Sequence, residues 1–218
     1  MSLLPQRFLF RMAVPCLHRD PVWTPRAAEL EEKYRLVDFG ELEGRPSHAE
    51  VRAAWSAEGL AFRVQVGGKQ QPPWCRATRP EDSDGVRFWI DTRDVHNVHR
   101  ASRFCHEFLF LPGGAGSRAE DAMATWLPIN RARENPRVVR LEAIEVRSAR
   151  QRDGYVLSAF LPTEVLTGYD PQEFPRLGFT YAVIDRELGE QTFGVGSPMP
   201  YQEDPSLWGT LDLVPPAT

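Results

Sequence analysis

The chain has 218 residues, 42% hydrophobic and 26% charged, with a formal net charge of −4 and a mean hydropathy of −0.41. No apolar run approaches the roughly 18–20 residues of a membrane span, and no basic excess supplies a nucleic-acid footprint. Three scattered cysteines, Cys16, Cys75 and Cys105, form no disulfide framework, and 19 prolines with 16 glycines exclude coiled coils and long helices.

The N-terminal stretch alternates Phe8, Phe10 and Met12 with Leu9, Arg11 and Ala13, as a strand does. Arg7 and Arg11 break it, so it lacks the about 7–15 unbroken apolar residues of a signal peptide, and the expected location is the cytoplasm. Thr24 as N-cap, Pro25 and a Glu-rich body predict a helix over 24–33. Two alternating runs, 49–56 and 61–66, flank a tight turn and predict a hairpin. A loop rich in Gly, Gln and Pro covers 67–83. Val86, Phe88 and Ile90 then share one face of a strand; Arg87, Trp89 and Asp91 share the other.

A polar stretch leads to a strand over 104–111, which stops at Pro112 and two glycines. Residues 118–125 are a second helix candidate. Strands over 138–148 and 155–161 meet at Arg152-Asp153-Gly154, a hairpin signal. Further strands are expected over 177–185, 191–195 and 207–213. About ten or eleven strands, with one or two short helices, predict an all-β fold. It is a single antiparallel β-sandwich domain spanning residues 1–218.

Three segments in order carry a family resemblance. They are Val51-Arg-Ala-Ala-Trp-Ser-Ala-Glu-Gly-Leu-Ala-Phe-Arg-Val-Gln-Val, Asp82-Ser-Asp-Gly-Val-Arg-Phe-Trp-Ile-Asp-Thr-Arg, and the set Gly154-Tyr-Val-Leu-Ser-Ala-Phe-Leu-Pro, Leu177-Gly-Phe-Thr-Tyr-Ala-Val-Ile-Asp and Asp204-Pro-Ser-Leu-Trp-Gly-Thr-Leu-Asp-Leu. Their order and spacing resemble the family 9 carbohydrate-binding modules and the wider DOMON-like β-sandwich group. The resemblance implies a sugar held between two tryptophans, with polar side chains on a concave sheet gripping its hydroxyls. A pyranose has an apolar face that suits an indole and an edge that needs placed donors and acceptors.

Carried over by position, Trp74 matches one stacking tryptophan. Tyr201 or Gln202 stands where the second would be, and only the tyrosine can stack. The gripping carboxylate of the family falls at Arg87, and its next-strand Arg and Asn fall near Leu109 and Leu111. The resemblance also implies bound calcium, but no ligand set for it can be matched in the sequence.

Residues 91–107 hold three of the five histidines, His96, His99 and His106, with Asp94, Arg93, Arg100, Arg103, Cys105 and Glu107. His96 and His99 would face one way on a helical turn and share a metal. The same segment also suits a solvated loop, or an anion or polyol site built on its arginines. Cys105 and His106 fall on opposite faces of a strand. Trp89 is either a ligand platform or packing. Arg76 beside Cys75 is the kind of neighbour that lowers a thiol pKa, and His106 or His99 is the available base.

No phosphate loop, nucleophile elbow, HExxH or EF-hand motif occurs. Asp84 and Asp91 are seven residues apart on a strand, about 23 Å at ~3.3 Å per residue, too far for a glycosidase pair. The expectation is therefore a non-catalytic carbohydrate-binding-like module for a saccharide or a small anionic ligand, acting on neither nucleic acid nor membrane. Its site residues are Trp74, Arg87, Trp89, Arg103, Glu107, Tyr201 and Gln202. The alternatives are a ligand-free structural or protein-interaction sandwich, and a metal- or cysteine-dependent enzyme on the same scaffold.

Overall fold

The structure is a computed structural model that describes residues 10–24, 29–40, 44, 46–137, 140–197 and 199–216. Among the described residues eleven strands run in chain order: β1 (Ala13–His18), β2 (Ala49–Ser56), β3 (Gly59–Val66), β4 (Gly85–Asp91), β5 (Cys105–Ala115), β6 (Asp121–Leu127), β7 (Glu145–Gln151), β8 (Gly154–Pro162), β9 (Arg176–Asp185), β10 (Gly189–Thr192) and β11 (Gly209–Val214). Hydrogen bonding orders them β6-β5-β4-β9-β11-β1-β2-β3-β8-β7, with β10 on β9. The path folds over on itself. A first sheet, β6 to β11, faces a second, β2 to β7, and β6 lies against β7, nearly closing the sandwich into a barrel.

β1 links the two sheets and is parallel to both β11 and β2; every other pair is antiparallel. The β2–β3 hairpin turns on Ala57 and Glu58, with Ser56 opposite Gly59. Gly59 has φ 146°, and a Cβ there would come within 2.1 Å of the Leu161 carbonyl oxygen, so the neighbouring β8 requires a glycine.

The alternation seen in the sequence is the burial pattern. Phe62, Phe88 and Phe179 come from both sheets and stack in the core, Phe62–Phe88 at 4.2 Å between centroids. Two smaller clusters cover the outward faces. Trp89, Cys105, Ala182, Tyr201 and Trp208 cluster on the first sheet; Val22, Leu30, Tyr34, Ala54 and Ala61 cluster on the second.

Helical structure among the described residues is short, as in the 3-10 turn Glu32–Tyr34 inside the expected 24–33 helix; residues 25–28 of that helix lie outside the described residues. The expected helix over 118–125 is a correction. It is largely strand β6, because Ala124 and Trp126 pair with Phe110 and Phe108 and turn inward. The strand expected from 138 begins at Glu145, after the 3-10 turn Leu141–Ala143, and 138–139 are outside the described residues. The alternation at Phe8 is likewise outside them, and β1 opens at Ala13.

Candidate ligand site

Alternation on β4 sends Val86, Phe88 and Ile90 to the core and Arg87, Trp89 and Asp91 to the outer face. Register places Glu107 of β5 beside Trp89, and Leu109 beside Arg87. Arg87 Nη1 donates to Glu107 Oε1 at 3.2 Å, and its Nη2 donates to the Glu81 carbonyl at 2.8 Å. Tyr201 stands edge-on to Trp89, centroids 5.4 Å apart, and its hydroxyl donates to Glu190 Oε1 at 2.6 Å. Gln202 Nε2 reaches the same hydroxyl at 3.4 Å. Five of the seven expected site residues, Arg87, Trp89, Glu107, Tyr201 and Gln202, therefore come together.

They come together under a roof. Trp89 is fully buried and Tyr201 is 1% exposed, so neither ring offers a free face. Val195, Met199, Leu207 and Trp208 pack over Trp89 with Ile129 and Ala132. Trp208 Nε1 donates to the Tyr201 carbonyl at 2.7 Å. Outside, Asn130 Nδ2 donates to Glu203 Oε1 at 2.5 Å, and Arg131 is 3.9 Å from the same carboxylate. Beneath the roof, Arg87 Nε is a buried donor without a hydrogen-bond partner. Burial pushes the Glu107 carboxyl up to about 7, against the pull of Arg87 and Trp89. Unpartnered polar atoms and a raised carboxyl pKa are marks of functional sites.

Trp74 lies elsewhere, in an open hollow of about 620 Å³ with Lys69, Gln71, Pro72, Pro73, Asp84, Arg186 and Glu187. Its backbone N–H donates to Asp84 Oδ2 at 2.9 Å, which fixes the approach. Two guanidiniums attend its ring, Arg186 at 4.2 Å and Arg76 at 4.6 Å from the centroid. Arg103 is also separate. It is more than half exposed, 3.9 Å from Glu134, and lines another hollow with Phe104, Arg137 and Thr167.

The Trp74 hollow contains a buried charge cluster that sequence reading missed. Lys69 Nζ is 2.5 Å from Asp185 Oδ2, 3.4 Å from Asp84 Oδ2 and 3.7 Å from Glu187 Oε2. Burial lowers the ammonium pKa, but Asp185 and Asp84 overcome that and hold it above its ordinary value. One signal was available: Lys69 is one of only two lysines beside 24 arginines. Asp84 and Asp185 also accept the backbone N–H groups of Arg186, Glu187 and Leu188. These carboxylates already face an internal cation and backbone donors, so they do not fit the calcium ion that the resemblance implied.

The histidines do not converge. His96 Nε2 is 2.7 Å from Asp94 Oδ1 and 3.1 Å from Thr210 Oγ1. His99 Nδ1 is 3.0 Å from Asp204 Oδ2 and 3.1 Å from Ser206 Oγ. A Ser–His–Asp triad needs its partners on opposite ring nitrogens, and these share one. His106 turns inward, where its Nε2 accepts from the Thr167 N–H at 3.0 Å. Among the described residues no group of three or more His, Cys, Asp or Glu is placed to hold a metal ion. The lowered thiol pKa expected of Cys75 is a correction: burial pushes it up to about 11, because desolvation outweighs any nearby positive charge.

No protein-family model and no curated protein matches the sequence. The fold does have solved relatives. A family 9 carbohydrate-binding module from Caldicellulosiruptor kristjanssonii in complex with glucose superposes with a TM-score of 0.63 at 13% identity, covering 94% of this chain and 97% of its own. A family 9 module from the same organism in complex with cellotriose gives 0.62 at 12%, covering 94% and 95%. The chain has the fold of a family 9 carbohydrate-binding module, as the ordered segments implied.

Proposed function

We propose that the chain is a non-catalytic carbohydrate-binding module that docks a saccharide in the Trp74 hollow. The observation that carries this reading is Trp74 itself, a half-buried indole in an open hollow ringed by Gln71, Arg186 and Glu187. A pyranose face replaces one guanidinium on the indole, and that guanidinium then serves hydroxyls at the ring edge. The roofed cluster of Arg87, Trp89, Glu107, Tyr201 and Gln202 supports the hollow from the same sheet rather than holding sugar while the roof is closed. The solved relatives were captured with glucose and cellotriose, which supports this ligand class.

The test is calorimetric titration of wild type and Trp74→Ala with glucose, cellobiose and xylobiose. Saturable heat in wild type, lost in the variant, is the expected result. No heat with any sugar overturns the reading and leaves the fold. The roof over Trp89 favours a second reading in that event, a structural or protein-interaction sandwich without a ligand.

A further inference from the structure

The outer face of the second sheet carries an arginine row. Register sets Arg52 of β2 opposite Arg63 of β3, Arg63 opposite Ser158 of β8, and Ser158 opposite Arg147 of β7. All four point away from the core, because their strand neighbours Val51, Phe62, Val64, Leu157 and Ala159 belong to it, with Val146 packed against it. Strands sit ~4.8 Å apart, so the row crosses four strands in about 15 Å.

Like charges directly opposite on a sheet are destabilising unless something compensates them. The outer two arginines have carboxylates. Arg52 Nη2 is 2.5 Å from Glu50 Oε1, and Arg147 Nη2 is 3.7 Å from Glu145 Oε2. Arg63 differs: its Nη2 donates to the neutral Gln65 Oε1 at 3.1 Å, and its Nη1 is buried with no partner. Burial and Arg52 both pull its pKa down, against Glu50 and Glu29. A half-buried aromatic borders the row: Trp23 stacks on Phe160, donates to Glu145 at 2.7 Å, and has the Arg147 guanidinium 5.8 Å from its ring.

We propose that this row is an oxyanion site, centred on Arg63, for the carboxylate or sulfate group of an acidic sugar whose ring lies beside Trp23. A guanidinium matches an oxyanion with paired N–H donors, and the anion supplies the counter-charge that Arg63, opposite Arg52 and bonded to a neutral amide, lacks. The site is on the opposite sheet from Trp74, and the inference does not depend on the Trp74 reading.

The experiment follows the thermal midpoint of wild type, Arg63→Gln, Arg147→Gln and Trp74→Ala. Sodium sulfate and sodium galacturonate are titrated against sodium chloride at equal ionic strength, with galactose as neutral control. Wild type should gain stability saturably in both anions, with midpoints on the order of 1 mM. General salting-out by sulfate does not saturate in that range. Trp74→Ala should keep the response, Arg147→Gln should weaken it and Arg63→Gln should abolish it. In chloride alone Arg63→Gln should be no less stable than wild type, because the change relieves the Arg52–Arg63 opposition. A saturable response that survives in Arg63→Gln, no saturable response in wild type, or equal effects of galactose and galacturonate would overturn the proposal.

Discussion

On the outer face of the first sheet, buried charge meets opposite charge. Arg87 faces Glu107, and at the rim Lys69 sits among Asp84, Asp185 and Glu187. Loops then close over Trp89 and Tyr201 and exclude water. On the outer face of the second sheet Arg63 meets an amide and another arginine, and its remaining donor has no partner. Both faces belong to one sandwich with one core, so the core does not explain the contrast. The first face pairs most of its charges and closes a roof over Trp89, whereas the second leaves Arg63 without a counter-charge. Three variants probe the roofed side.

The largest effect is expected from Trp89→Ala. Its ring is fully buried, so its loss should cost about 3–5 kcal/mol in urea unfolding. Trp23→Ala, on the half-buried side, should cost about 1–2 kcal/mol. Matching midpoint shifts for the two would mean that the roof is no more packed than the open face, and the contrast would collapse.

Next is Lys69→Met. It leaves Asp84 and Asp185, both almost fully buried, without their cation. Removing one partner of a buried pair costs at least about 3 kcal/mol, because the survivor stays charged and dry. A neutral result in unfolding titrations at pH 7 would show that water already reaches the cluster.

Much of this was legible in the sequence. Alternation at Phe62, Val64 and Val66, and at Val86, Phe88 and Ile90, is a local property, and it placed the core strands correctly. Residues 118–125 misled because a short polar run with alanines carries no strong period of either kind; pairing with β5 decided it. Trp74, Arg87 and Tyr201 came from the ordered resemblance and Glu107 from the dense 91–107 segment, but the roof depends on residues 199–208 lying over a strand more than a hundred positions earlier. The Arg52–Arg63 opposition needs the hairpin register to the residue. The Lys69–Asp185 contact spans 116 positions, and only the scarcity of lysine hinted at it.

The finest test uses two adjacent residues of β5 that face opposite ways. His106 points to the core and Glu107 to the roofed face. Burial lowers the His106 pKa to about 4 and raises that of Glu107 to about 7. Between about pH 4.5 and 7 the folded protein holds a proton on Glu107 that the unfolded chain has released, so this group makes stability fall as pH rises. Between about pH 4 and 6.5 the unfolded chain holds a proton that folded His106 does not, so that group makes stability rise with pH. Each contribution is on the order of 3 kcal/mol over its full window, and in wild type they oppose over nearly one window. Glu107→Gln removes one of them and keeps the shape. Its stability should climb from pH 4 to 6.5 by on the order of 2–3 kcal/mol relative to the wild-type profile, as measured by urea unfolding at each pH. Parallel profiles would place Glu107 in contact with water, and the first face would then be as open to a ligand as the second.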